Sequence, residues 1–517
     1  MESIRMLWAE AQALEQANQW QQARRLYESI VDKEPYHVPA RLRLSRFEEF
    51  ADRYLESKQH LWRAVDAVRD HANTRNAGYV TARLLEFAEE LEVGALIMSL
   101  DWSDSHVIRQ SPSLAQHLWL AGRYEEALRF IEAVRRHIPA HALLSYTRAN
   151  VLRYLGDMRA AEDDYEAAIA LAPEFADAHW SLATHSKANP PTCRVARIRA
   201  ALEKHPAGSS EQAHLYYALF REHDAADEPS AAWDALSRGA AIMRGRVAFD
   251  AERQSLRLRR WMQTRLDDLE PTTDQKPVPI FVVGLPRSGT TMLDRMLGNH
   301  AQVASLGERN DFSAAVSEAS NHFFSTLAAA DYGDWIWELD LARAGHLYLQ
   351  RLRALGTAKA FIVDKNPQNL FNIPLILRSL PGARIICVHR NPMDVCFSNL
   401  KELFQGGAYP YSYDQKHLAD HFRMARDWMS FWQRSAPRST FKVQYEELIA
   451  DPARIMADVQ NFLGLAFQAG LHDLTLNASP VATASSAQVR EGVHSRNVDA
   501  WERYAEQLQP LRETLGV

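Results

Sequence analysis

Residues 278–297 read VPIFVVGLPRSGTTMLDRML, and the stretch changes character twice. An apolar, β-branched run from Val278 to Val283 gives way to Gly284, Leu285, Pro286, Arg287, Ser288 and Gly289, and a helical pattern begins at Thr290. The succession predicts a strand, a tight turn and a helix. Glycines at both ends of the turn let successive backbone N–H groups point into one concavity. The following helix adds its unsatisfied first-turn donors and its positive dipole end. Such a turn is suited to hold an anion.

The spacing, G-x4-G followed by two residues, is that of a phosphate-binding loop, but Thr290 stands where a nucleotide-binding loop carries the lysine that reaches the β- and γ-phosphates. The site therefore suits a shorter anionic group. Thr290 and Thr291 offer hydroxyl donors, and Arg287 puts a permanent, fork-shaped cation in the loop.

The chain of 517 residues is too long for one ordinary domain. Hydrophobic residues at 47% and charged residues at 24% are values of a soluble globular protein. A formal net charge of −6 argues against general nucleic-acid binding. Cys193, Cys387 and Cys396 show neither metal-ligand spacing nor even pairing and read as reduced thiols of a cytoplasmic protein. The first residues carry two acids ahead of any apolar run, unlike a signal or transit peptide, and no window is apolar enough to span a membrane.

N-terminal to the loop the texture is helical and repetitive. Gly122 and Gly156, Ala127 and Ala161, Ile131 and Tyr165, and Pro139 and Pro173 are each 34 residues apart, the period of a helix-turn-helix tetratricopeptide unit. Asn18, Ala23, Tyr27 and Pro35 repeat the same internal offsets. The Gly or Asn makes the turn, the Ala lets two helices cross closely, the Tyr or Ile fills the groove and the Pro stops the second helix. One such unit cannot bury its apolar face alone, so about residues 40–110 and 185–265 are expected to hold degenerate helical pairs, with Tyr216, Tyr217, Ala231, Ala232 and Trp233 belonging to one of them. The array reads either as a concave surface for a peptide or protein or as a scaffold.

The Pro-containing segment 267–279 reads as a linker between a helical-repeat domain, 1–266, and an α/β domain, 280–517. In the second domain β-rich runs at Phe281 to Val283, Ala360 to Val363, Arg384 to Val388 and Thr440 to Val443 alternate with helical stretches, which predicts a parallel sheet with ligands at the carboxyl ends of its strands. Three constellations fall at or near such ends. Lys365 follows the run ending at Val363. Arg390 follows the run ending at Val388, and Ser398 comes eight residues later. Near the C-terminus, Arg490 and Arg496 lie in a polar, aperiodic stretch that reads as a loop able to close over an anion. Trp428, Trp432, Tyr409, Tyr411 and Tyr413 read either as an acceptor cleft or as core.

Together, GLPRSGTT, the Gly307-Glu308-Arg309 triplet, VDKNP, VHRNPMDVCFSN and SSAQVREGVHSRNVDAW resemble the sulfotransferases that use 3′-phosphoadenosine 5′-phosphosulfate, PAPS. Among these the chain is most similar to bacterial tetratricopeptide-repeat sulfotransferases and to tyrosylprotein sulfotransferases, over about residues 278–505. The resemblance implies that Arg287, Ser288, Gly289, Thr290 and Thr291 cradle the 5′-phosphosulfate and that Arg390 and Ser398 hold the 3′-phosphate. It implies Glu308 as the catalytic base and Lys365 as the group assisting the leaving phosphate, with no metal required. The acceptor would be a peptide or protein tyrosine or a small hydroxyl compound. An acceptor hydroxyl with a pKa near 10 or above needs a positioned base, and charge developing on the departing phosphate needs fixed cations and N–H donors, a catalytic demand that Lys365, Arg287 and the loop donors match. The alternatives at this point are a P-loop kinase, disfavoured by Thr290, and a non-catalytic helical scaffold with a degenerate nucleotide domain.

Overall fold

The computed structural model describes residues 3–186, 193–263, 276–404, 407–477 and 498–517. A helical region precedes an α/β domain built on five parallel strands. By compactness the chain divides into two units. The first comprises residues 1–151, 310–325 and 334–351, and the second residues 152–309, 326–333 and 352–517.

The first unit is made of helices. Pairs such as Ile4–Gln16 with Trp20–Lys33, Val38–Phe50 with Tyr54–Arg69, and Ala77–Glu86 with Glu90–Ser99 fold back at single residues in the left-handed region. These turn residues are Asn18, Asp52, Ala88 and Gly122, spaced 34, 36 and 34 residues apart, and in the second unit Gly156, 34 residues further on, and Asp227 turn further pairs. Five residues after the turns stand Ala23, Ser57, Val93, Ala127, Ala161 and Ala232, all buried. Nine residues after them stand Tyr27, Leu61, Ile97, Ile131, Tyr165 and Leu236, also buried. The segments between the repeats legible in sequence thus hold helical pairs too, with Asp and Ala at the turn in place of Gly or Asn. Later parts of the chain complete this unit. Asn321 accepts from the Tyr54 N–H at 3.2 Å, and Lys58 bridges Glu89 and Glu318 at 2.8 and 2.7 Å. Arg351 lies between Glu89 and Asp311, at 3.0 and 2.7 Å.

In the second unit, β1 (Val278–Val283), β2 (Val303–Ser305), β3 (Phe361–Asp364), β4 (Arg384–His389) and β5 (Thr440–Gln444) form one sheet in the order β2-β3-β1-β4-β5. β1 and β4 are buried along almost their whole length, because helices cover both faces of a parallel sheet. The chain leaves β1 toward one edge and β4 toward the other, so the crevice between their carboxyl ends is where an open α/β sheet takes its ligand. A second core in this unit joins Leu215, Tyr217, Phe220 and Leu236 of the helical region to Met393, Phe397, Leu400, Tyr504 and Leu511. Trp428, Trp432, Tyr411 and Tyr413 are buried, which removes them from any cleft and leaves Tyr409 half-exposed.

Candidate active site

Val283 ends β1, and the loop 284–289 leads into the Thr290–Gly298 helix. Arg287 and Gly289 both adopt positive φ, 70° and 104°, so the backbone alternates handedness and turns its N–H groups to one side. The loop has no room for larger residues at its glycines. A Cβ on Gly284 would stand 2.7 Å from Ser288 Oγ and 2.8 Å from the Val388 carbonyl, and a Cβ on Gly289 would run into the Tyr445 ring. Among the described residues, the N–H groups of Gly289, Thr290 and Thr291 find no backbone acceptor. The buried Ser288 Oγ has no partner among them either. Donors this poorly satisfied at a helix N-terminus fit an anion such as a phosphosulfate.

The loop is held from the β4 side. The Asn399 amide donates to the Pro286 carbonyl at 2.8 Å, and Arg390 Nη1 donates to the Arg287 carbonyl at 3.1 Å. Arg287 Nε donates to Ser398 Oγ at 3.1 Å, so the loop arginine and the serine of the Pro392–Leu400 helix meet. The Arg390 guanidinium lies 4.3 Å from the centre of the Tyr445 ring and 3.6 Å from Asp394. Tyr445 therefore backs both Gly289 and Arg390. Asn391 caps the Pro392–Leu400 helix by accepting from the Met393 N–H at 2.9 Å, which fixes the register of Ser398.

Glu308 and Lys365 come together through strand register. Ser305 of β2 pairs with Val363 of β3, and the ladder continues past β2: the Leu306 N–H donates to Val363, and the Lys365 N–H to Gly307, both at 3.0 Å. Gly307, at φ 68°, then turns the chain. Lys365 Nζ reaches Glu308 Oε1 at 2.5 Å. The lysine side chain is 1% exposed and the glutamate side chain 40%, so the pair presents a carboxylate to solvent and a cation to the interior. Asn366 donates to the Arg309 carbonyl at 2.8 Å and steadies the same turn.

Sequence reading missed several neighbours. Asp294, on the buried face of the Thr290–Gly298 helix, has its carboxyl pushed up by burial and pulled down by Lys365. Its position i+4 from Thr290 was the available signal, and it looks like any helical acid. Burial and the Glu308 carboxylate push the Tyr409 phenol up, and burial chiefly raises Tyr154, with Glu308 and Glu402 adding to it. Both tyrosines therefore belong to the surroundings of Glu308. His300 bonds Ala466 O at 2.9 Å through Nε2 and receives the Gln302 N–H through Nδ1, so neither nitrogen is available as a base. Burial, with Lys442 nearby, lowers His389 to about 4. Arg490 and Arg496 lie outside the described residues. No group of three or more His, Cys, Asp or Glu is arranged for a metal ion, and no helix is long and apolar enough to cross a membrane, among the described residues.

The fold and this loop define a P-loop-type α/β domain. Residues 279–469 match the model of the sulfotransferase family, a stretch that contains the loop, Glu308, Lys365, Arg390 and Ser398. An uncharacterized protein of Aquifex aeolicus (strain VF5) is 24% identical over 400 residues, 75% of this chain and 52% of the relative. The chain therefore spans about half the length of that relative. A Caenorhabditis briggsae protein named "Putative protein-tyrosine sulfotransferase" is 26% identical over 233 residues, 43% of this chain and 80% of its own length. Among solved structures, the sulfotransferase domain of the Synechococcus PCC 7002 olefin synthase has a TM-score of 0.33 at 19% identity, covering 48% of this chain and 98% of that domain. A sulfotransferase of Mycobacterium avium has a TM-score of 0.28 at 16% identity, covering 63% and 95%.

Proposed function

We propose that this protein transfers the sulfuryl group of PAPS to an acceptor hydroxyl, with a tyrosine phenol as the acceptor class. The observation that carries the reading is the Glu308–Lys365 contact at adjoining strand ends, in the same domain as an anion loop that has Thr290 in the lysine position. The family match over residues 279–469 supports sulfuryl transfer, and the name of the Caenorhabditis relative supports the phenolic acceptor. Tyr154 and Tyr409 near Glu308 suit an aromatic acceptor as well.

In this reading the N–H groups of residues 289–291, Ser288 and Arg287 hold the 5′-phosphosulfate, and Arg390 and Ser398 receive the 3′-phosphate. The bound nucleotide supplies the sulfuryl group and leaves as the bisphosphate. Glu308 accepts the acceptor's proton as the acceptor oxygen bonds to sulfur. Lys365 turns from Glu308 to the bridging oxygen, where negative charge grows as the S–O bond breaks. The buried position of Lys365 strengthens that interaction by excluding water. The helical pairs are proposed as tetratricopeptide-like, with residues 1–266 presenting the acceptor, 267–279 linking and 280–517 carrying the chemistry. The free thiols of Cys193, Cys387 and Cys396 support a cytoplasmic setting.

The test is Glu308→Gln, which keeps size and loses basicity. Transfer from PAPS to a tyrosine peptide should fall by about 10² to 10⁴ with PAPS affinity nearly unchanged. Arg309→Gln, next in sequence, should cost much less. Near wild-type turnover in the first variant would remove Glu308 from the mechanism. Calorimetric preference for ATP over adenosine 3′,5′-bisphosphate would favour a kinase, and nucleotide binding without sulfate transfer to any hydroxyl acceptor would favour a scaffold.

A further inference from the structure

The Pro392–Leu400 helix ends against the helical region. Tyr217 of the Ser210–Ala225 helix donates its hydroxyl to the Leu400 carbonyl at 3.1 Å. One turn later Arg221 donates to the Lys401 carbonyl at 3.1 Å and meets Glu402 Oε2 at 3.4 Å. Arg221 also lies 5.5 Å from the centre of the Trp180 ring. Glu402 is buried and engaged by Arg221, which occupies its carboxylate, although that charge still acts on Lys401.

That residue, Lys401, follows Ser398 by three positions and so shares its side of the helix. Its Nζ sits 4.8 Å from the centre of the Phe397 ring, and among the described residues it donates no hydrogen bond and joins no ion pair. Burial, then the Arg221 and Arg287 cations, lower Lys401 to about 7, against weaker opposition from Asp224 and Glu402. Lys401 is half-exposed, so an ammonium repelled by two guanidiniums and lacking a protein acceptor is open to an arriving anion. Arg287 connects the cluster to the nucleotide site, because it is also the partner of Ser398.

We propose that Lys401 is a ligand of the nucleotide's second phosphate, the one received by Arg390 and Ser398, and that Arg221 of the helical region is the positioning residue that keeps Glu402 from neutralising it. The inference rests on the nucleotide assignment above. It gives the helical region a part in cosubstrate binding, which a role in acceptor presentation alone does not.

Phosphate arrival stabilises the ammonium form, so Lys401 takes up a proton on binding. Affinity is then greatest near pH 7 and falls as pH rises toward 9, where the free protein must first protonate Lys401. The full-length chain is titrated calorimetrically with adenosine 3′,5′-bisphosphate and with AMP, at pH 7 and pH 8.5, in buffers of different ionisation enthalpy. Lys401→Met keeps the stem over Phe397 and should weaken bisphosphate binding about tenfold, leave AMP binding unchanged and abolish proton uptake at pH 8.5. Arg221→Met should weaken the bisphosphate similarly although Lys401 is present, and adding Glu402→Gln to it should restore most of the affinity. Wild-type protein that does not prefer the bisphosphate over AMP defeats the nucleotide assignment itself. Wild-type preference with unchanged bisphosphate affinity in Lys401→Met defeats only this inference, and a raised acceptor KM in that variant would reassign the cation to an anionic acceptor. If Arg221→Met does not fold, the Lys401→Met titration decides alone.

Discussion

Arg390 touches the Arg287 carbonyl, Asp394 and the Tyr445 ring. Arg390→Ala should weaken adenosine 3′,5′-bisphosphate by about tenfold or more while AMP changes little, since only the first ligand brings a 3′-phosphate. Equal losses for both ligands would place Arg390 at the loop rather than at that phosphate. Gly289→Ala tests the cradle. The positive φ and the Tyr445 ring both oppose a Cβ, so the variant should lose about 1–3 kcal/mol of stability in denaturant titration together with most nucleotide affinity. Tyr445→Ala opens the space that the new methyl needs but leaves the positive φ and removes a buried core ring that also faces Arg390, so the double variant should recover neither stability nor nucleotide affinity.

At the scale of elements, what the sequence disclosed depended on how strongly a residue type is tied to a backbone state. Gly122, Gly156 and Asn18 stand out because few other residues enter the left-handed region cheaply. Asp52, Ala88 and Asp227 occupy the same turn position and were silent, since tertiary packing of the flanking helices overrides local preference there. Ala88 bears the largest strain of the three, having no polar side chain to bond its own backbone. Ala88→Gly should stabilise the protein by about 0.5 kcal/mol or more, read as a higher denaturation midpoint at constant slope. A lower midpoint would show that Ala88, which is buried, is held more by packing than it is strained. The loop 284–289 was legible for the opposite reason: glycines flanked by a β-branched run leave little else to build. The meeting of Glu308 with Lys365 was not legible, because it is a matter of register between β2 and β3. Lys401 and Arg221 were hidden by their separation along the chain and by the absence of any motif around either.

At the scale of the molecule, the core shared by Tyr217, Phe220 and Leu236 with Phe397, Leu400 and Tyr504 means that cutting the chain near residue 276 strips apolar cover from the catalytic domain. Such a truncated chain should aggregate or unfold cooperatively at much lower denaturant than full-length protein, and soluble, nucleotide-binding material from it would show the shared core to be dispensable. The helical unit carries the complementary dependence. Its ion pairs at Lys58 and Glu89 are completed by Glu318 and Arg351, and the Tyr54 backbone by Asn321, all encoded far downstream of the helices they join. A ribosome therefore releases nine helices of this unit's N-terminal part long before it releases the residues that finish it. The usual order, in which an N-terminal domain closes while the next is still being made, is postponed here until residue 351 has emerged, and a nascent chain halted before that point should remain open to proteases that spare the finished protein.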